Sequence, residues 1–323
     1  MDPTRAGLRT GSLPEIGLSR RRQLSRARWV TTTRGIHVPE YLLDDPDLPT
    51  IATAIAAMGA GGALGGWAAL ACHGVPFFDR ATFGPAALVH CLPGSRLRAR
   101  SMVTPFQGLV HDDELVEIEG VRFATIARAA FDEMRIARSL EDAVVVADMA
   151  ASQVTEGGRT SLRAIERVVD SHHKLRGIVQ ARAALPLAHE RSASPWETRL
   201  RLRAVRDVGL RQLLVNVPVF DRFERLLGIA DLLEPRIGLV LESDGAQHRR
   251  IDRHREDNER EERFEHAGLV VARFTSGDHA DRWATVRRIE QARQRAARST
   301  AVRGWTLDPP AWWFTWEPGR RYR

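Results

Sequence analysis

Hydrophobic and polar positions follow three different rhythms along the chain. Residues 19–28 (SRRRQLSRAR) form a short polar run that Ser19 can cap as a helix. Residues 29–33 (WVTTT) then have β-branched strand character, Arg34-Gly35 suits a turn, and Ile36-His37-Val38 suits a return strand. The second rhythm is apolar and glycine-broken. Residues 51–75 carry no charged side chain but contain Gly59, Gly61, Gly62, Gly65, Gly66 and Gly74. Ala and Gly contribute little transfer energy, so two short buried helices joined by a glycine turn are predicted rather than a membrane span. Residues 86–92 and 120–123 suit strands, and 125–135 and 139–151 suit helices. The third rhythm begins at Ser194, an N-cap, with Pro195 at the first helical position. A helix to about residue 208 ends at Gly209. Strands follow over 212–220, 225–233 and 237–243, then a polar helix over 253–267, a strand over 269–274 and a last helix over 279–298.

The predicted class is therefore α/β, in four parts. Residues 1–45 read as a winged helix-turn-helix, whose arginine-rich second helix carries Arg20, Arg21, Arg22 and Arg26 and whose wing tip carries Arg34. Residues 46–188 read as an α+β middle domain, and 189–300 as an α-β-β-β-α-β-α domain. Residues 301–323 form a tail with Trp305, Trp312, Trp313 and Trp316 among Pro309, Pro310 and Pro318, either a strap over the core or a docking peptide. A net charge of +7 and a pI near 10.6 favour an acidic polymer or an anionic surface as partner. Lys174 is the single lysine, so the positive charge is almost all arginine; GC-rich coding alone can produce that bias. Within residues 93–100, Arg96, Arg98 and Arg100 alternate in a loop and suit either phosphate contact or solvent. Cys72 and Cys91 have no CxxC spacing, which excludes a zinc knuckle or a disulfide framework. With no apolar leader at the N-terminus, a cytoplasmic, nucleoid-associated protein is expected.

The candidate chemistry lies in residues 227–250, LGIADLLEPRIGLVLESDGAQHRR. Asp231 is expected to close one strand and Glu242 to lie at the end of the next, beyond a turn at Glu234-Pro235-Arg236. Hydrolysis of a phosphodiester needs a cation on the phosphate, a deprotonated water and a stabilised leaving oxygen. Magnesium prefers oxygen ligands and keeps several waters, so two carboxylates and a carbonyl suffice. Asp231, Glu242 and the Ser243 carbonyl fit that set, with Mg²⁺ or Mn²⁺ as cofactor. Glu197 adds a carboxylate, directly or through water, and Asp244 suits a second-metal ligand or a water-orienting role.

Ser194-Pro195-x-Glu197, Gly228-x-x-Asp231, Leu241-Glu242-x-Asp244-Gly245-x-x-His248, Asp257-x-x-Arg260 and Val271-x-Arg273-Phe274 occur in that order. The series resembles the restriction-endonuclease-like superfamily of PD-(D/E)xK nucleases, in its very-short-patch-repair (Vsr-like) branch, over about residues 194–286. The superfamily's usual lysine is missing: its place is taken by Asp244. The branch similarly uses histidine, which makes His248 the candidate general base. Gln247 is then a substrate contact, and Asp257 and Arg260 brace the site or touch phosphate. Arg273 suits a salt bridge or a phosphate clamp. His90, His111, His172 and His173 show no metal-ligand spacing and read as ordinary residues. Farther upstream, Leu18-Ser19-Arg20, Arg34-Gly35-Ile36-His37-Val38, Trp67-Ala68-Ala69-Leu70-x-x-His73-Gly74 and Gly120-Val121-x-x-x-Thr125-x-Ala127-Arg128 resemble the winged-helix antitoxins of abortive-infection type IV toxin–antitoxin systems.

Together these readings imply a metal-dependent DNA endonuclease with an N-terminal DNA-binding region. The alternative is a DNA-binding transcriptional regulator or antitoxin whose nuclease-like domain is inactive. The expected partners are DNA and a toxin or phage-defence protein. Double-strand cleavage by one small domain needs two copies, hence a homodimer.

Overall fold

Strand-forming residues collect in three places along the chain, and each place makes a sheet. The computed structural model describes residues 8–9, 29–244 and 251–314. Among these the protein is mixed α/β with three sheets, none closed. By its contacts the chain separates into two units, Met1–Glu190 and Arg191–Arg323.

In the first unit, β1 (Leu8–Arg9), β2 (Trp29–Thr33) and β3 (Ile36–Pro39) form a sheet in the order β1-β3-β2. Gly35, at φ 77°, makes the β2–β3 turn in the left-handed region that glycine enters at little cost. The helix expected over residues 19–28, with Arg20, Arg21, Arg22 and Arg26, lies outside the described residues. Then come α1 (Leu48–Met58), β4 (Gly62–Leu64), α2 (Gly66–Cys72), α3 (Arg80–Phe83), β5 (Ala87–Cys91), β6 (Val103–Phe106), β7 (Leu115–Ile118) and β8 (Val121–Ala124). The second sheet runs β6-β5-β4-β8-β7. The glycine-rich stretch is thus not simply two helices and a turn. β4 intervenes because Gly62, Ala63 and Leu64 pair with Cys91, His90 and Val89 of β5. A side chain at Gly62 would press on Met58 and Val89, so glycine is what admits the strand there. Thr125 and Ser139 cap α4 (Ile126–Ile136) and α5 (Leu140–Ala151), and α6 (Leu162–Ser171) and α7 (Ile178–Ala184) complete the unit. Among the described residues no helix is long and apolar enough to cross a membrane.

In the second unit, Ser194 accepts a hydrogen bond from the Glu197 N–H at 3.2 Å and starts α8 (Pro195–Leu202). A π-helical turn, Arg203–Asp207, replaces the end of the longer α-helix predicted from sequence. An antiparallel meander follows: β9 (Leu214–Asp221), β10 (Leu226–Glu234) and β11 (Leu239–Asp244). The chain crosses through α9 (Ile251–His266) to β12 (Val270–Thr275), which lies parallel to β11. The predicted last helix is split into α10 (Ser276–Ala280) and α11 (Arg282–Arg298), because the Asp281 carboxylate accepts from the Ala284 N–H at 2.9 Å and recaps the chain. Leu232 and Leu241 pack against Leu200 of α8 and Ile289 and Ala292 of α11. Ala230 and Val240 pack on Phe264 of α9, so helices cover both faces of the sheet. Each buried Leu, Ile, Val or Phe among them contributes about 1.5–3 kcal/mol. The described part of the tail, residues 301–314, packs as a strap: β13 (Trp305–Thr306) pairs with β9, giving the order β12-β11-β10-β9-β13. Beyond it, α12 (Ala311–Phe314) sets Trp312 and Trp313 edge-on against Phe220. Trp316 lies outside the described residues.

Candidate functional site

Three strand registers assemble a polar row across the second unit's sheet. Val215 pairs with Leu232 and Val217 with Ala230, which sets Asn216 beside Asp231. Leu232 pairs with Leu241, so the next position sets Asp231 beside Glu242. Glu242 in turn pairs with Arg273. Asn216, Asp231, Glu242 and Arg273 therefore occupy four successive strands. Asp231 does not close its strand as expected: β10 continues to Glu234 because Leu232 and Leu233 are buried on its two faces.

Hydrogen bonds lock the row. The Ser243 N–H donates to Asp231 Oδ2 at 2.8 Å, and the Asp231 N–H donates to Glu242 Oε1 at 3.4 Å. Glu197 Oε2 accepts from the Ala193 N–H at 2.9 Å and from Asn216 Nδ2 at 2.6 Å. Asn216 also donates to the Arg191 carbonyl at 2.7 Å and has φ 45°, rare for a non-glycine residue. Arg260 Nη2 lies 2.5 Å from Glu242 Oε2. Burial, and secondarily Asp231, push the Glu197 carboxyl up to about 8. The same two causes push Glu242 up to about 8, with Arg260 opposing. The short Arg260 contact favours a charged Glu242, but desolvation of a carboxylate only 3% exposed outweighs it. These carboxylates crowd negative charge into a buried place, and they titrate as a group.

Asp244 is half-buried and pairs with Thr275; the strand pleat sets it on the same face as Glu242. Gln247 and His248 lie outside the described residues, so the expected base and substrate contact have no position here. Arg260, expected as a brace or a phosphate contact, sits on Glu242, and Arg273 pairs with Glu261 at 3.1 Å. Arg34 occupies the β2–β3 turn, and its carbonyl accepts from Arg100 Nη1 at 2.7 Å. Asn216 is a functional candidate that sequence reading passed over. Its signal was a single amide inside the apolar run LVNVPVF.

The first unit holds a second cluster. Among the described residues, one trio of His, Cys, Asp or Glu brings a ligand atom from each member within 4.8 Å of the others: His111, Glu114 and His172. Glu197, Asp231 and Glu242 are more widely set. Two of the histidines expected to be ordinary surface or core residues, His111 and His172, belong to this trio; His172 joins Glu114 from 58 residues away, at 2.7 Å. Yet a cation is already there. Arg128 Nη1 lies 2.6 Å from Glu114 Oε2 and 3.1 Å from His172 Nε2. Its Nε binds Asp132 at 3.0 Å, and Arg135 and His90 bind the same carboxylate at 3.0 and 2.8 Å. Burial opposes ionisation of Asp132, but His90, Arg128 and Arg135 together hold it well below the usual carboxylate range. Burial keeps His172 below its ordinary pKa, hence neutral near pH 7. This network neutralises itself and, with Arg128 in place, does not fit an added metal.

Compared with family models, curated proteins and solved structures, the chain matches none.

Proposed function

We propose that the second unit is a Mg²⁺- or Mn²⁺-dependent DNA endonuclease. The observation that carries this reading is the placement of Asp231 and Glu242 side by side on neighbouring strands, with a buried Glu197 near enough to feel the charge of Asp231. The donor set is hard oxygen, which suits magnesium. Asp231, Glu242 and the Ser243 carbonyl would hold the ion; an extended residue turns its N–H and C=O toward the same neighbouring strand, and the Ser243 N–H faces Asp231. Bound there, the ion would neutralise a phosphate and acidify a water. Glu197, held by Asn216 and the Ala193 N–H, is placed to accept a proton from a water at the row once it is deprotonated itself. The α-β-β-β-α-β order, with β12 parallel to β11, supports the restriction-endonuclease-like, Vsr-like resemblance. The arginine-rich N-terminal region, with its winged-helix, antitoxin-like pattern, supplies DNA affinity in this reading.

The test is incubation of the full chain with duplex, mismatched and single-stranded DNA in Mg²⁺ or Mn²⁺. Cutting should disappear in Asp231→Asn and Glu242→Gln. Wild-type protein inert on every substrate overturns the reading.

Arg260 favours a second reading, a DNA-binding regulator or antitoxin with an inactive nuclease-like domain. There the guanidinium on Glu242 is a permanent substitute for the metal. Arg260→Met separates the two: Mg²⁺ binding, followed by calorimetry, tightens if the arginine merely competes with the ion. If no metal binds either protein, the regulator reading stands.

A further inference from the structure

A groove of about 930 Å³ runs along β12, which among the described residues is an edge strand of the second unit's sheet, and one side of α11. Its walls include Arg273, Arg288, Arg295 and Arg298, with Gln291 and Gln294 between them. Positions 288, 291, 295 and 298 follow the i, i+3, i+7, i+10 spacing of one helical face. The core face of α11, Thr285, Ile289, Ala292 and Ala296, is a different one. Glu261 is the acidic residue in the lining, and Arg273 neutralises it at 3.1 Å. The groove therefore presents cationic and amide donors in excess.

A free sheet edge usually invites a strand from another chain. This edge is capped against that. Arg288 Nη2 donates to the Arg273 carbonyl at 2.9 Å, while its other terminal nitrogen pairs with Asp278. One residue of the groove wall, Arg273, is the strand neighbour of Glu242 in the carboxylate row. We propose that this groove carries the phosphodiester backbone of DNA past the carboxylate row, with Arg295 and Arg298 as the phosphate contacts. Both are exposed, and arginine presents a planar fork that matches phosphate oxygens. The groove's place beside a cutting site rests on the nuclease reading; its affinity for DNA does not.

The experiment measures binding of the full chain to a short fluorescent duplex in EDTA, across a salt series. The double variant Arg295→Gln/Arg298→Gln should weaken binding by about tenfold or more, and lower the log–log salt slope by roughly 1.8, two phosphate contacts at about 0.9 each. The matched control, Arg222→Gln/Arg225→Gln, removes two equally exposed arginines from the β9–β10 turn and should leave the slope nearly unchanged. An unchanged slope in the groove variant, or an equal loss in the control, overturns the proposal. Failure of the nuclease reading looks different. Protein that needs Arg295 and Arg298 to bind but never cuts with Mg²⁺ retains the groove and loses the enzyme. Protein that cuts normally without them retains the enzyme and loses the groove.

Discussion

The main acidic clusters of the two units are held in opposite ways, although one further acid of the first unit, Glu133, is pushed up to about 7 by burial. In the first, Glu114 and Asp132 meet Arg128, Arg135, His90 and His172 in a lattice of contacts at 2.6 to 3.0 Å, and Asp132 is held ionised. In the second, Glu197 and Glu242 flank Asp231 and are both driven toward their neutral forms, despite Arg260. Charge that is already matched needs nothing from outside and belongs to the architecture. Charge left in excess in a buried place is relieved by a cation, which is why the second cluster is the stronger functional candidate although the first has the tighter ligand spacing.

The largest effect should come from breaking the balanced cluster. Arg128→Met strands Glu114 and Asp132 without their shared guanidinium, and loss of one partner from a buried pair costs about 3–5 kcal/mol. Urea denaturation should show it; an unshifted midpoint would mean that the first network is not structural. In the second unit the corresponding changes should spare the fold and remove chemistry. Glu242→Gln is expected to lower Mg²⁺-dependent cleavage at least 100-fold, about 2.7 kcal/mol of transition-state stabilisation. A variant that cuts as well as wild type breaks the comparison at its centre.

Metal should also stabilise the folded protein. At a Mg²⁺ concentration of about 100 Kd the gain is about 2.7 kcal/mol, and Asp231→Asn should abolish it in thermal melts. Without metal, pH should act with a defined sign. Glu197 and Glu242 rise from an ordinary 4.5 to about 8 on folding, so the folded state holds their protons more tightly. Their contribution is complete below pH 4.5 and is lost as pH rises through about 8. Stability in EDTA should therefore fall between pH 5 and 8, by at most about 1.4 kcal/mol per pH unit for each proton, and Glu242→Gln should flatten the decline. The smallest effect is local: Ser194→Ala removes the cap of the helix that carries Glu197, at a cost of about 1 kcal/mol. Denaturation at fixed pH measures it.

Local sequence signals located most elements. Ser139 and Thr125 announce their helices through cap hydrogen bonds, the turn at Pro235 separates β10 from β11, and Gly268 stops α9 before β12. Asp231 and Glu242 stood out because carboxylates interrupt apolar strand runs. Other features had no local signature. β4 exists only because β5 and β8 lie on either side of it. Asn216 matters through its bonds to Glu197 and Arg191, 19 and 25 residues away. The pairing of His172 with Glu114, and of Arg260 with Glu242, depends on where whole helices settle.

By itself the sequence determined the periodicities, the caps, the glycine turns and the supply of carboxylates and arginines. Those depend on neighbours a few residues apart, where backbone geometry leaves little choice. Only the tertiary structure decided which charges are matched and which are left over. That follows from strand register and helix packing: burial strips water from every ionisable group at once, and only the groups brought within about 3 Å can replace it.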